Sequence, residues 1–234
     1  MNNKPKTVWI DDCFIVAGKR ERLLRIVQDV EPINPRERDN VGTMVCWHHS
    51  YSLGDTHEYE DPQDFLLTVA LGKDIHQREA EEHTDPENIP YDKLRTIIKE
   101  NHVMLPLYLY DHSGLRISTE PYSCSWDSRQ VGWIYVDKVK ALQECGNITE
   151  ENWCEVAQKY LEDEVQTYDC YFDGGVIGYE LYELENGEAA ELVEAVGGFY
   201  GNDTERNGIL DEFTIIRQVN VEVIKMTITR LRVA

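Results

Sequence analysis

The sequence predicts an α+β protein, a mostly antiparallel sheet with helices packed on it. Several segments are rich in β-branched and aromatic residues, alternate apolar with polar positions and end in short turns, which is typical of antiparallel strands. One long segment near residues 149–173 repeats apolar residues at three- and four-residue intervals, which indicates an amphipathic helix. With 234 residues, 41% of them apolar, we expect a single domain over residues 1–234, with 1–40 as a candidate subregion.

The first third of the chain predicts a strand and a helix after an ambiguous opening. The run KRERLLRIV favours the start of a helix that Pro32 and Pro35 would stop. VGTMVCWHH, from Val41, predicts a strand. Asp61-Pro62 opens a helix through DFLLTVAL that Gly72 closes. The acidic stretch 73–90 predicts a surface loop or short helix.

The middle of the chain predicts three neighbouring strands. Residues 102–110 form an apolar run, in which Pro106 indicates an edge or a bulge because it cannot donate a ladder hydrogen bond. The sequence DHSG then predicts a turn, LRISTE a returning strand and VGWIYV a third strand.

The clearest element is the acidic helix. Its apolar stripe consists of Trp153, Val156, Ala157, Tyr160, Leu161, Val165 and Tyr168. Asn147 or Thr149 can cap it, and Gly174-Gly175 ends it. Two strands are then predicted around the Asn186-Gly187 turn, and at least one more in the β-rich tail from Phe213.

Acidic residues outnumber basic ones by 44 to 23, and two segments carry the excess. Residues 54–92 contain 12 acidic and 2 basic residues, and residues 150–200 contain 14 acidic residues and the single base Lys159. Such a field repels phosphate backbones, so we expect no direct nucleic-acid binding, whereas basic protein surfaces are attracted. Acidity that serves only solubility is the alternative.

Six cysteines without a Cys-x-x-Cys pair indicate reduced thiols. The sequence has neither an apolar run of ~20 residues nor an apolar signal region, so we expect a cytoplasmic protein without membrane contact.

Three loop-like segments, CWHHSYSLGD, YDHSG and YSCSWDSRQVG, hold the residue types of a divalent metal site or a Cys-His pair. The candidates are His48, His49, Asp55, His57, Asp111, His112, Cys124 and Asp127. Their spacing matches no zinc, nucleophile-elbow or phosphate-loop motif. A divalent metal is the cofactor that such a site would hold, although the sequence does not identify one.

Each candidate also has a structural explanation. Strand geometry would send His48 and His49 to opposite faces, so that at most one joins a given site. Turn chemistry accounts for Asp111, His112 and Ser113, and a buried thiol accounts for Cys124. Asp11 and Asp12 resemble carboxylates that bind Mg²⁺ at a strand end, but paired aspartates are also common in turns.

The DHSG turn, the segment C-x-WDS-x-QVG-x-IY and the late GFYG at residues 198–201 resemble an uncharacterised family of bacteriophage and mobile-element proteins. The resemblance covers residues 45–201 and implies an accessory protein made in a bacterial host cell, without assigning an activity or catalytic residues. Strongly acidic phage accessory proteins include inhibitors of host defence, of the anti-restriction or anti-CRISPR type, whose carboxylates stand in for phosphates.

Three functions follow as hypotheses. The first is a non-enzymatic protein that binds a basic surface of a host protein through Glu151, Glu155, Glu162, Asp163 and Asp169. The second is a metal-dependent or cysteine hydrolase built from the three loops, and the third is a structural or assembly component that forms a stable homo-oligomer.

Overall fold

The structure is a computed structural model, and it describes residues 12–72, 89–112, 114–123, 128–186 and 188–219. The chain divides into two compact units: unit 1 is Met1–Pro35 with Asp169–Ala234, and unit 2 is Arg36–Tyr168. The single-domain organisation stays a prediction.

The described elements are nine strands and four α-helices. The strands are β1 (Cys13–Val16), β2 (Arg22–Gln28), β3 (Thr43–Cys46), β4 (His102–Asp111), β5 (Leu115–Ser118), β6 (Ser128–Asp137), β7 (Val176–Glu185), β8 (Glu188–Tyr200) and β9 (Ile215–Val219). The helices are α1 (Pro62–Leu71), α2 (Tyr91–Asn101), α3 (Lys138–Glu144) and α4 (Trp153–Asp173). All strand pairs are antiparallel, which confirms the predicted α+β class.

Unit 1 contains a five-stranded sheet in the order β8-β7-β2-β1-β9. The prediction of a helix in KRERLLRIV is wrong, because these residues form β2. Leu24 and Ile26 pack into the core on one face of the sheet, whereas Leu23 packs into a second core on the other face. A strand buried on both faces carries a continuous apolar run, which periodicity does not distinguish from a helix.

Unit 2 contains a four-stranded sheet in the order β3-β6-β4-β5. Helices α1 and α2 cover one of its faces, where Phe65, Leu94 and Ile98 pack with Val45 of β3. The predicted limits of α1 are confirmed, since the Asp61 side chain accepts hydrogen bonds from two backbone N–H groups and Gly72 ends the helix with φ of 88°.

The predicted hairpin and third strand of unit 2 are confirmed as β4, β5 and β6. Pro106 does not lie on an edge strand, because β4 stands between β6 and β5. However, β5 pairs only with Tyr108–Asp111, so among the described strands only β6 pairs with β4 at Pro106. A bulge follows between Leu107 and Tyr108. The proline is therefore tolerated because β4 has no described hydrogen-bonding partner on its other side at this position.

Two further predictions near the end of the chain are confirmed. Helix α4 ends before Gly174, which has φ of 72°, and β7 and β8 form a hairpin in which Asn186 has φ of 54°. The predicted tail strand is β9, and the remainder of the tail lies outside the described residues, as does the acidic stretch from residue 73 to residue 88.

Candidate functional site

Helix α4 is held in unit 2 by its apolar face. The buried side chains recur along one side of the helix: Trp153, Ala157, Leu161, Val165 and Tyr168. At the N-terminal end Thr149 and Asn152 exchange hydrogen bonds, with Thr149 N–H donating to Asn152 Oδ1 and Asn152 N–H to Thr149 Oγ1. These reciprocal hydrogen bonds close the turn that leads into the helix at Trp153, and the cap predicted at Asn147 or Thr149 stays a prediction.

The opposite side of α4 presents carboxylates to solvent. Glu155, Glu162 and Asp163 on the helix are exposed, as is Glu151 in the turn before it, and these four residues are named the acidic patch. Lys159 is the one base on the helix, and Gln158 Nε2 donates a hydrogen bond of 2.8 Å to Glu162 Oε1. Asp169, the fifth predicted partner-binding residue, is half-buried and already interacts with another residue of the chain. Partner binding by these residues stays a prediction.

Glu164 differs from its acidic neighbours because it points inward and carries the main structural ion network of unit 2. The side chain of Arg36 is only 3% exposed and contacts Asp55 and Glu164 at 2.7 and 2.8 Å. The Arg36 guanidinium also donates to the Gly42 carbonyl at 2.7 Å, and Glu164 Oε1 accepts from the Val41 and Gly42 N–H groups.

This network gives Asp55 a structural role. Arg36 Nε and Nη2 donate to the two carboxylate oxygens of Asp55, and the Met44 N–H donates to one of them. Burial acts to lower the pKa of Arg36, but Asp55 and Glu164 outweigh it, so the pKa is raised and the guanidinium stays charged. Sequence reasoning placed Asp55 among the residues that could form a metal site and missed Arg36, which no motif marks.

Two of the three predicted polar loops meet at the surface. Tyr51, from the loop after β3, donates a hydrogen bond of 3.0 Å from its hydroxyl to Asp111 Oδ2 at the end of β4. The His48 ring stacks on the Tyr51 ring at 4.9 Å and lies 4.6 Å from the His49 ring. The expectation that His48 and His49 point to opposite faces is wrong, because β3 ends at Cys46 and the alternation of a strand does not extend to them.

The chemistry of this loop cluster is restricted by how His48 is held. The backbone N–H groups of Ser50 and Tyr51 both lie 3.2 Å from His48 Nδ1 and donate to it, so Nδ1 is an acceptor and carries no proton. Burial, and next the neighbouring His49 ring, lower the pKa of His48, which favours the neutral ring. Within the described ranges, no group of three or more His, Cys, Asp or Glu side chains has the geometry of a metal site.

The other candidates do not complete a catalytic site. His57 Nε2 lies 3.0 Å from the Cys46 carbonyl oxygen, and its ring packs against Trp47 at 5.0 Å. The exposed ring of His112 is 6.4 Å from that of Tyr110. Cys124 and Asp127, together with Ser113 and Asp11, lie outside the described residues. Asp12 accepts a hydrogen bond of 3.3 Å from Gln218 and directly precedes β1. The residues before it lie outside the described part of the chain, so its proposed place at a strand end stays a prediction.

Among the described thiols, Cys46 is buried and its pKa is raised to about 12, first by burial and then by the negative charge of Asp55. A thiol with such a pKa is almost wholly protonated near neutral pH and therefore a poor nucleophile. Cys154 is the exposed free thiol, on the solvent side of α4. The loop cluster and the described thiols thus form separate features.

Comparison with known proteins yields no relative. No family model, no curated protein and no solved structure matches the chain. Across the described residues, no helix is long and apolar enough to cross a membrane.

Proposed function

We propose that this protein is a non-enzymatic binding protein whose acidic patch engages a basic surface of a host protein. The observation that carries the proposal is the exposure of three carboxylates on one packed helix, with a fourth, Glu151, in the turn before it. The inward-facing Glu164 of the same helix is already neutralised by Arg36. The patch therefore presents unneutralised charge on a rigid support, which favours association with a cationic surface.

The patch presents a row of negative charges, as a nucleic-acid mimic requires. Glu155 and Glu162 are separated by about two helical turns, which is about 10 Å along the axis at ~1.5 Å per residue. Both carboxylates therefore lie on the same side of the helix. Carboxylates on α4 could thus occupy positions that a phosphate backbone takes in the cleft of a nuclease or restriction enzyme.

The resemblance to phage and mobile-element proteins supports the choice of partner. A phage accessory protein acts inside a bacterium, where the basic clefts of defence nucleases are targets of acidic inhibitors. We therefore propose inhibition of host defence, of the anti-restriction or anti-CRISPR type, as the biological role. Asp169 at the far end of α4 is a proposed additional contributor.

The test is capture of a basic nucleic-acid-binding protein from bacterial lysate by the immobilised chain. The decisive variant is Glu151→Gln, Glu155→Gln, Glu162→Gln and Asp163→Asn combined. The matched control is Glu188→Gln, Glu191→Gln and Glu194→Gln on β8, which removes three exposed carboxylates elsewhere. We expect the patch variant to lose capture, the control to keep it, and duplex DNA to compete with the wild type for the captured protein.

Salt provides the second criterion. Because the Debye length shortens from about 14 Å to about 6 Å between roughly 50 mM and 300 mM salt, capture by charge complementarity should weaken steeply over that interval. Absence of capture, or salt-insensitive capture that the patch variant retains, would contradict the proposal.

The alternative function is a metal-dependent or cysteine hydrolase. The contact between Tyr51 and Asp111 favours it, since two of the three candidate loops meet there. Elemental analysis of the purified protein decides it: stoichiometric zinc or manganese, lost in an Asp111→Asn variant, would support a metal enzyme. A metal-free protein in which Cys124 resists alkylation would exclude both hydrolase types.

A further inference from the structure

A second candidate site lies on the sheet of unit 2, on the face that α1 and α2 partly cover. It is a pocket of about 230 Å³. Its lining residues come from both helices and two strands: Leu66, Arg95, Ile98, Lys99, Met104, Pro106, Tyr108, Gln130 and Trp133. At ~30 Å³ for each water molecule, this volume corresponds to seven or eight waters, which is the size of one small ring system with a substituent.

The floor of the pocket is flat, apolar and rigid. Pro106 and Trp133 are directly opposite each other in the β4–β6 pairing, so their rings lie on the same face of the sheet. The Trp133 ring contacts Phe65, stacked at 5.7 Å, and Trp47, in edge contact at 6.0 Å. A surface of this kind accepts the face of a planar ring at little entropic cost, because its own side chains are already ordered.

The rim of the pocket is positively charged. Arg95 and Lys99 are both exposed and stand four residues apart on α2, where like charges repel by a few tenths of a kcal/mol. No described carboxylate forms an ion pair with either of them, and none of the described lining residues is acidic. In contrast, Arg22, Arg25 and Arg36 are each paired with glutamate or aspartate.

Two neighbouring cations without a carboxylate partner among the described residues, over a floor of Pro106 and Trp133, are unexpected in a chain with 44 acidic and 23 basic residues. We propose that this pocket binds a small molecule that combines a planar ring with one anionic group, a carboxylate or a phosphate. The ring lies against Pro106 and Trp133, and the anion accepts charge-assisted hydrogen bonds from Arg95 and Lys99. The inference does not depend on the acidic patch, since none of the patch residues lines the pocket.

Calorimetric titration with matched probes tests the proposal. Indole carboxylate and phenyl phosphate carry the required ring and anion, indole carboxamide keeps the ring without the charge, and inorganic phosphate keeps the charge without the ring. We expect at least one ring-bearing anion to bind about tenfold or more tightly than both indole carboxamide and inorganic phosphate. Whichever of the two ring-bearing anions binds more tightly identifies the acid group.

The variants Arg95→Gln and Lys99→Gln should each raise the Kd of that anion about fivefold without lowering the melting temperature, because both side chains are exposed. Lys93→Gln is the matched control, an exposed lysine on the same helix that does not line the pocket. The proposal is overturned if neither ring-bearing anion binds more tightly than indole carboxamide, if Lys93→Gln has an equal effect, or if no probe shows saturable binding up to about 5 mM. Displacement of the bound anion by a single-stranded oligonucleotide that binds at least a hundredfold more tightly would equally overturn it, because the site would then be a nucleic-acid site.

Discussion

Arg22 in unit 1 and Arg36 in unit 2 are both paired with carboxylates, yet their surroundings differ. Arg22 stands directly opposite Glu183 in the β2–β7 pairing, and the side chains are 33% and 29% exposed. Arg36 is 3% exposed and contacts two carboxylates and a backbone carbonyl. Burial, and not the presence of a partner, therefore determines how much an ion pair contributes to the stability of the fold. Water weakens the attraction between Arg22 and Glu183, whereas removal of Arg36 would leave buried charge uncompensated.

The largest expected effect follows from breaking the buried network. Arg36→Met removes the cation that neutralises Asp55 and Glu164, so we expect the free energy of unfolding to fall by about 3 to 5 kcal/mol. Denaturant unfolding measures the change, and hydrogen exchange should show faster exchange in β3 and β6 of unit 2. Arg129→Met is the control, since Arg129 is exposed in the same unit and its replacement should cost less than about 0.5 kcal/mol. Equal effects of the two substitutions would contradict a structural role for Arg36.

A glycine in each unit extends the comparison to packing. A Cβ atom on Gly132 of β6 would overlap the Val45 carbonyl oxygen of β3, and one on Gly178 of β7 would overlap that of Val196 on β8. Val45 is fully buried, whereas Val196 is 37% exposed, so β8 has more freedom to move away. We expect Gly132→Ala to destabilise by about 1 to 3 kcal/mol and Gly178→Ala by less, as measured by thermal unfolding. The reverse order would show that exposure of β8 gives it no such freedom.

The next effect is a pH dependence in unit 2. Burial lowers the pKa of His102, and its Nδ1 atom is buried without a hydrogen-bond partner among the described residues. Because the unfolded chain then binds the proton more readily, the free energy of unfolding should fall as the pH drops below about 6.5.

A His102→Gln variant should therefore lose less stability than the wild type between about pH 7.5 and about pH 5.5, in denaturant titrations at both values. His49→Gln, at an exposed position, is the control and should follow the wild type. Parallel losses in wild type and His102→Gln would rule out His102 as the source.

The smallest effect is expected for the exposed pair of unit 1. A double-mutant cycle with Arg22→Ala and Glu183→Ala should give a coupling free energy of about 0.2 to 1 kcal/mol. The coupling should shrink further in high salt, because the pair is accessible to counterions. A coupling as large as the effect of Arg36→Met would remove the distinction between the two units.

Much of the fold follows from local patterns in the sequence. The limits of α1 are set by Asp61, Pro62 and Gly72, and the β7–β8 hairpin by its Asn186 turn, so neighbouring residues suffice to predict them. The apolar stripe of α4 likewise predicts the exposure of Glu155, Glu162 and Asp163 on its other side. Strand β2 was wrongly predicted as a helix, because the cores on both its faces include residues that are distant in sequence.

The candidate sites depend on contacts that local patterns do not contain. Glu164 reads as one more acid of α4, and only its contact with Arg36, 128 positions earlier, sets it apart from the acidic patch. The hydrogen bond between Tyr51 and Asp111 joins residues that are 60 positions apart, and the pocket at Trp133 is lined by residues of two helices and two strands. A single sequence specifies such contacts through the fold as a whole, so residue types and spacing alone could not reveal them.

The division of unit 1 between two distant parts of the chain has a consequence for biosynthesis. Strand β2 pairs with β7, so that Arg25 and Glu180, which are 155 positions apart, form a hydrogen bond, while all of unit 2 lies between them in sequence. The ribosome therefore synthesises every residue of unit 2 before β7. Once unit 2 has folded, a shorter length of flexible chain separates β2 from β7, so less conformational entropy is lost when these two strands pair. We expect unit 2 to fold first during translation, and pulse-labelled hydrogen exchange during refolding should show protection of β4 and β6 before β2 and β7. Simultaneous protection would mean that the long closure does not delay unit 1.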